Sequence, residues 1–267
     1  MSSGTLYLDG IACWSPTLVD WASARAAFRG QGGLLDPPAP RPAPELLAPT
    51  ERRRAPDTVA IALEVAARAV AQAGRTPGEL PSVFTSAHGD LAINDYMCAT
   101  LVNEPMAISP TRFHNSVHNA AAGYWTIGTG CMQASTALTA FLHSFAHGLL
   151  ETISQASIEQ RPILLVAYDI AACGALACVT ASRGMLATAL VLNPAPGAHS
   201  LGTITWSLQA GAIQPTGPVS AAARSLQENA IADCLPLLEC IANPEGDVVL
   251  PLGDALALHI HWKAQHA

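Results

Sequence analysis

Two nearly uninterrupted apolar runs constrain the fold of this chain more than any other feature. They read PILLVAYDI at residues 162–170 and LATALVLNP at residues 186–194. A strand with one face in solvent alternates polar and apolar residues, whereas continuous runs of this length are typical of strands covered on both faces. The two runs therefore predict central strands of a sheet that lies between two layers of helices.

Shorter patterns predict the remaining elements. Further strands are expected at residues 6–14, 82–87, 135–140, 201–209 and 255–262, and helices at residues 57–73, 90–103, 109–130 and 220–243 and in the second half of residues 135–150. Asp57 is expected to cap the first helix, Gly74 to end it, and Pro236 to bend the last one. The proline-rich residues 31–56 are typical of a crossing segment without packed structure. This order predicts an α/β fold with a truncated second unit.

The composition excludes some classes of partner. Charged residues make up 12% of the 267 residues, about half of the ~25% that is usual for soluble proteins, which indicates a surface covered by another protein. The longest apolar run, residues 163–179, contains Asp169 and Gly174 and is shorter than the ~20 residues of a membrane-spanning helix. A net charge of -7 disfavours nucleic acid. We therefore expect neither a membrane nor a nucleic acid as partner.

The cysteines indicate a reducing compartment. There are seven, an odd number, with no CxxC pair and no secretory signal ahead of them. Reduced thiols in the cytoplasm fit this pattern best.

Residues 135–150, STALTAFLHSFAHGLL, have the pattern of a strand, an abrupt turn and an apolar helix. In many α/β enzymes such a corner presents a nucleophile, but here it reads Phe141, Leu142, His143 and Ser144. The G-x-S-x-G pattern of hydrolases is absent, so Ser144 is expected to fill space rather than to react. Of Phe141 and Leu142, we expect one to pack in the core.

The segment SPTRFHNSVHNAAAGYWTIGTGCMQASTALTAF, with ERRRAPDTVAIALEVAARAVAQAG before it and PILLVAYDIAA after it, resembles β-ketoacyl synthases of the thiolase superfamily. The resemblance covers residues 46–194 and is closest to the short chain length factors that accompany ketosynthases in bacterial aryl polyene pathways. It implies a thiolase-like layered α/β fold in a single domain, residues 1–267. Within it, residues 1–194 form the N-terminal half and residues 195–267 a reduced C-terminal remnant.

The residues that carry catalysis in that family are missing. Its nucleophilic cysteine lies at the strand-to-helix corner in a pattern like T-A-C-S-S-G, and its two histidines lie in H-G-T-G-T and N-I-G-H segments. No cysteine is present at residues 141–144, neither histidine segment occurs, and His259 and His261 lack matching neighbours. Without a thiolate no acyl-enzyme forms. The resemblance thus implies a non-catalytic, cofactor-free and metal-free subunit that pairs with a catalytic ketosynthase and transiently meets acyl carrier protein.

The resemblance also implies where that pairing occurs. The interface is expected just before the corner, at Asn119, Ala120, Ala121, Ala122, Gly123 and Trp125, where small residues allow close helix packing. The vestigial corner, Phe141 to Ser144, is expected to bound the tunnel for the growing chain. The basic run Arg52 to Arg54 either contacts the acidic carrier protein or is simply solvated.

Two other patterns support an alternative function, a stand-alone acyltransferase or metal-dependent enzyme. His143, His147 and Glu151 are spaced four residues apart on a predicted helix, a face that can bind a metal, although this spacing often arises by chance. His114 and His118 repeat the spacing. Cys131, in the glycine-rich GTGCMQAS, is either a displaced nucleophile or a small buried hydrophobe.

Overall fold

The chain forms one eight-stranded sheet with helices on both faces, as seen in a computed structural model that describes residues 2–265. The strands are β1 (Ser3–Trp14), β2 (Ser82–Thr85), β3 (Ser135–Leu138), β4 (Ile163–Asp169), β5 (Leu186–Asn193), β6 (Gly202–Ala210), β7 (Glu245–Gly253) and β8 (Leu256–Ala264). The α-helices are α1 (Trp21–Phe28), α2 (Pro49–Arg54), α3 (Asp57–Gln72), α4 (Leu91–Asn103), α5 (Pro110–Asn115), α6 (Ala120–Thr129), α7 (Ser144–Glu159), α8 (Ala221–Arg224) and α9 (Leu235–Ala242).

The strand order is β3-β2-β4-β5-β1-β6-β8-β7. Strand β2 runs parallel to β3 and β4, and the other neighbouring strands are antiparallel. Every residue of β4 and β5 is buried. Leu164 and Val166 pack into the core on one side of the sheet, and Ile163 and Leu165 into the core on the other. The predicted double coverage of these strands is therefore confirmed.

Helices α3 and α6 cover one face of the sheet, and α1, α7 and α9 cover the other. The start of α3 differs from expectation. Pro56 is the N-cap residue and Asp57 the first helical residue, because the Asp57 carboxylate pairs with the Arg41 guanidinium at 3.0 Å instead of capping the helix. The helix ends before Gly74 as predicted, where φ is +61°.

Two predicted helices are interrupted. Residues 109–130 form α5 and α6, separated by residues 116–119, instead of one helix. Residues 220–243 form α8, a stretch of turns and α9. Pro236 lies in the first turn of α9 rather than at a bend, because proline lacks the amide hydrogen that later helical positions must donate.

Three elements of the structure, α1, α2 and β7, were not predicted. Helix α1 follows Asp20, whose carboxylate accepts a hydrogen bond from Ser23 N at 2.7 Å. Strand β7 forms a hairpin with β8, in register from Glu245 opposite Lys263. Residues 31–56 contain the short helix α2, of which no residue is buried.

The strands after residue 195 extend the same sheet through β1, which pairs with β6. The extended sheet curls around α7, since His147 Nε2 lies 2.9 Å from the Leu252 carbonyl oxygen of β7 and α7 also packs on β4. The cumulative twist of successive strands produces this curvature. No helix within residues 2–265 has the length and apolar character needed to cross a membrane.

Candidate functional site

The corner between β3 and α7 lies at the carboxyl ends of the parallel strands. Strand β3 ends at Leu138, a 3-10 turn spans Phe141–His143, and α7 begins at Ser144. In α/β sheets this edge is where binding and catalytic groups collect. The predicted strand, turn and helix of residues 135–150 are confirmed.

Phe141 has a left-handed backbone, with φ of +52°. This conformation is unfavourable for a bulky side chain and persists only when the surroundings hold it in place. Ser144 holds it: its Oγ donates to the Phe141 carbonyl oxygen at 2.8 Å and accepts from Ala140 N at 3.0 Å. Ser144 is thus part of the turn and fully buried.

Neither Phe141 nor Leu142 packs in the core, contrary to expectation. Their side chains are 45% and 64% exposed. Together with Val179 they form the apolar part of a cavity of about 520 Å³ at the corner. Ala87, residues 180–183, residues 227–230, Ala232 and Asp233 complete its wall. The left-handed turn points both side chains outward, which hydrophobic pattern alone does not predict.

A buried polar cluster lies beside the corner and was missed by sequence reasoning. Asp169, the last residue of β4, accepts hydrogen bonds from Ser86 Oγ at 2.5 Å and Ala87 N at 2.7 Å. His88 Nε2 lies 3.7 Å from Asp169 Oδ1. Burial raises the pKa of Asp169, while His88 and the hydrogen bonds oppose the shift. A charged residue at the end of a fully apolar run is the signal that indicates this cluster.

A second buried carboxyl group contacts the start of α7. Ala146 N donates to Asp233 Oδ2 at 3.1 Å, whereas Asp233 Oδ1 is buried and has no hydrogen-bond partner among the described residues. Burial raises the pKa of Asp233 well above its ordinary value, and the charge of Asp169 adds to the shift. His143, which precedes the helix, supplies no side-chain cap.

On the candidate metal-binding face, His143, His147 and Glu151, the side chains of His147 and Glu151 bond to other groups of the chain. Burial and the neighbouring His147 lower the pKa of His143. His147 binds the β7 backbone, and Glu151 accepts from Gln155 Nε2 at 2.8 Å. Within residues 2–265, no group of three or more His, Cys, Asp or Glu side chains is arranged to hold a metal.

The second histidine pair does not share a helix. His114 lies on α5 and stacks edge-on against Tyr124, with ring centroids 5.9 Å apart. His118 lies in the following loop and its Nε2 is 3.0 Å from the Ser86 carbonyl oxygen. The expected helical spacing of these two residues was wrong because the chain breaks between α5 and α6.

Cys131 is a buried residue at the other end of the sheet. Its side chain donates to the Leu80 carbonyl oxygen at 3.5 Å, and Leu80 precedes β2 just as Cys131 precedes β3. The thiol therefore lies at the amino ends of the parallel strands, away from the corner. These contacts favour the interpretation of Cys131 as a small buried hydrophobe over that of a displaced nucleophile.

The residues predicted for an interface divide into two groups. Ala121, Ala122 and Trp125 are buried in the core of the chain itself, against α3. Asn119 is exposed, and Ala120 and Gly123 are half-buried. Asn119 and Gly123, together with the small exposed part of Ala122, line a hollow of about 500 Å³ between α6 and the edge strand β3. Any partner on this side contacts mainly Asn119 and Gly123, because Ala121 and Trp125 are covered by the chain's own helices.

Comparisons with known proteins agree with this geometry. Residues 23–254 match the family described as the N-terminal domain of β-ketoacyl synthase. No curated protein matches the sequence.

Solved structures of ketosynthase complexes are similar over almost the whole chain. The ketosynthase ApeO in complex with its chain length factor ApeC, from Xenorhabdus doucetiae, contains a chain with a TM-score of 0.72 and 22% identity, covering 97% of this chain and 99% of that one. The ishigamide ketosynthase/chain length factor gives 0.74 and 13%, covering 98% and 99%. AntDE:AntF, a type II polyketide synthase acyl carrier protein in complex with its ketosynthase bound to the hexaketide, gives 0.72 and 11%, covering 98% and 100%.

These similarities confirm the thiolase-like α/β fold and the resemblance inferred from the sequence. Because the matched family covers most of its length, the chain belongs to the β-ketoacyl synthase family, through the N-terminal domain of that family.

Proposed function

We propose that this chain is a non-catalytic subunit, similar to chain length factors, that pairs with a catalytic ketosynthase in the cytoplasm. In that role it supports the extension of polyene or polyketide chains of the aryl polyene type on acyl carrier protein, without forming an acyl-enzyme itself. The observation that carries the proposal is Phe141 at the strand-to-helix corner.

Phe141 stands where the family pattern has its nucleophile. Thr139 and Ala140 match the first two positions of T-A-C-S-S-G, which aligns Phe141 with the cysteine. The left-handed turn is present, with φ of +52°, but a phenyl ring cannot attack a thioester. The corner therefore keeps its shape while lacking the reacting group.

The C-terminal histidines do not replace the missing catalytic pair. His261 Nδ1 lies 3.0 Å from Asp247 Oδ1, and its Nε2 lies 3.3 Å from Glu245 Oε1. Both carboxylates are at the start of β7, the end opposite to Leu252, which contacts α7. His261 is thus a half-buried residue that contacts two carboxylates of β7, remote from the corner.

The partner surface that we propose consists of β3 and the outer side of α6. Strand β3 is at the edge of the sheet, and its outer side pairs with no strand of the described chain. Unpaired strand edges are sites of association between chains. Nearby, Ile127 and Met132 are 80% and 92% exposed. Apolar surface of this kind is typical of interfaces that persist.

The cavity at the corner fits a role in bounding the space for an acyl chain. Phe141 and Leu142 supply apolar surface to it without any nucleophile. On α2, Arg53 and Arg54 are exposed and carry positive charge that an acidic carrier protein can contact. We also propose that residues 1–194 form the N-terminal half of the family's fold and residues 195–267 a reduced C-terminal remnant. The remnant completes the cover of α7.

Co-expression with a full-length ketosynthase whose catalytic cysteine is intact tests the pairing. We expect native mass spectrometry to show one copy of each subunit, because the exposed β3 edge and α6 surface need a cover. A chain that purifies alone under the same conditions, with the ketosynthase forming its own dimer, contradicts the proposal. Capture of a different protein does not support it.

A further inference from the structure

The N-terminus of a helix can activate a thiol, because its free amide groups and its dipole stabilise negative charge. In this chain the first-turn amide of Ala146 already donates to Asp233 Oδ2 at 3.1 Å. Asp233 comes from the 3-10 turn Ala232–Cys234, 87 residues along the chain from Ala146. The helix end that follows Phe141 is therefore occupied by an acceptor that belongs to the protein itself.

We propose that Asp233 is an internal acceptor that prevents the N-terminus of α7 from activating a nucleophile at position 141. The inference rests on the proposed function and deepens it. The absence of a cysteine is one barrier to acyl-enzyme formation, and the occupied helix end is a second, independent one. Asp233 is a positioning residue, since it acts through the amide groups of α7.

The charged groups around the corner do not favour a thiolate at position 141. Titratable side chains that face the corner or Asp233 are His143, His147, Asp169, Arg183, Glu228, Cys234 and Asp254. Arg183, the cation that lines the cavity, is paired with Glu228 at 3.2 Å. A negative charge at position 141 thus finds the Ala146 amide already bonded to Asp233 on the buried side and a cation that is already paired across the cavity.

Placing a cysteine at position 141 of the full chain tests the inference. In Phe141→Cys the thiolate sulfur displaces iodide from iodoacetamide, and peptide mass spectrometry follows this thiol alone as the pH is varied. We expect its pKa at or above the ordinary value of about 8.5. When Asp233→Ala is added, the Ala146 amide loses its acceptor, and we expect alkylation at pH 7 to become about fivefold to tenfold faster, as for a pKa about one unit lower.

The two substitutions at position 233 differ in whether the Ala146 amide keeps a hydrogen-bond acceptor. Asp233→Asn keeps an acceptor oxygen for the Ala146 amide, so it preserves the helix cap and should leave the alkylation rate of the thiol as it is in Phe141→Cys alone. A purely structural role of Asp233 changes the unfolding temperature of these variants and leaves the pKa of the thiol at position 141 unchanged.

Asp254→Asn is the matched control. It removes a carboxylate from an exposed turn beside His143 without touching the amide groups of α7, so the alkylation profile of Phe141→Cys should stay the same. The inference is overturned if the single variant already has an acidic thiol, if Asp233→Ala does not change it, or if Asp233→Asn or Asp254→Asn has an effect equal to that of Asp233→Ala. None of these results depends on a partner, so they are distinct from a failure of the proposed pairing.

Discussion

Gly123 lies on the outer side of α6, where the isolated chain has space for a side chain. In the proposed complex the partner occupies that space. A Cβ atom built at Gly123 meets no atom within 4 Å. Glycine inside an exposed helix costs about 0.5–1 kcal/mol relative to residues with good helix propensity, such as arginine. We therefore expect Gly123→Arg to stabilise the isolated chain by about that amount, which raises the midpoint of thermal unfolding by about 1–4 °C.

The same substitution should destroy the complex with the ketosynthase. An unpaired arginine forced into an apolar interface costs about 3 kcal/mol or more, which weakens binding by a factor of about 100 or more. Co-purification and the dissociation constant from titration calorimetry measure this loss. Ile158→Arg is the control, because Ile158 is 81% exposed on α7. Unchanged binding by Gly123→Arg refutes the proposed surface, and a lowered unfolding midpoint refutes the open site at Gly123.

Three further predictions concern the core and the corner. Ala121→Trp should lower the free energy of unfolding by about 1–3 kcal/mol in urea titrations, because Ala121 is only 1% exposed and the core cannot expand; a stable variant contradicts this packing. Ser144→Ala should cost about 1–2 kcal/mol in the same assay, since it removes both hydrogen bonds that hold Phe141. The control Ser154→Ala loses a single hydrogen bond to its own helix and should cost less. Equal losses contradict the role of Ser144. Burial raises the pKa of Asp233, so folding favours its protonated form. The contribution of this group to the free energy of unfolding is therefore lost as the pH rises above the unfolded pKa of about 3.9. Asp233→Asn should gain stability relative to the natural chain between pH 4 and neutrality, and a difference that is constant with pH contradicts the shift.

The sequence predicts those parts of the fold that local pattern determines. The runs in β4 and β5 contain hardly any polar residues, so their burial on both faces follows from hydropathy alone. Gly74 ends α3 as its chemistry suggests. Strand β7 was missed because Asp247 and Pro251 interrupt its pattern, although its partner β8 compensates by pairing with it at eight residues.

The site was predictable in position but not in detail. The corner at residues 135–150 follows from a β-prone run and an apolar helix, but the left-handed Phe141 depends on hydrogen bonds to Ser144 that no pattern encodes. The contact between Asp233 and Ala146 joins residues 87 positions apart. Asp233 was expected inside a continuous helix, and its location became visible only once the fold broke that helix into turns.

Acyl labelling of the reconstituted pair is the most direct test of a non-catalytic subunit. The ketosynthase and this chain are incubated with an activated acyl donor, and the mass of each intact subunit is measured. We predict an acyl adduct on the ketosynthase cysteine and none on this chain, whose corner holds Phe141. An adduct on this chain, at Cys131 or at any other residue, in the absence of the partner contradicts the account.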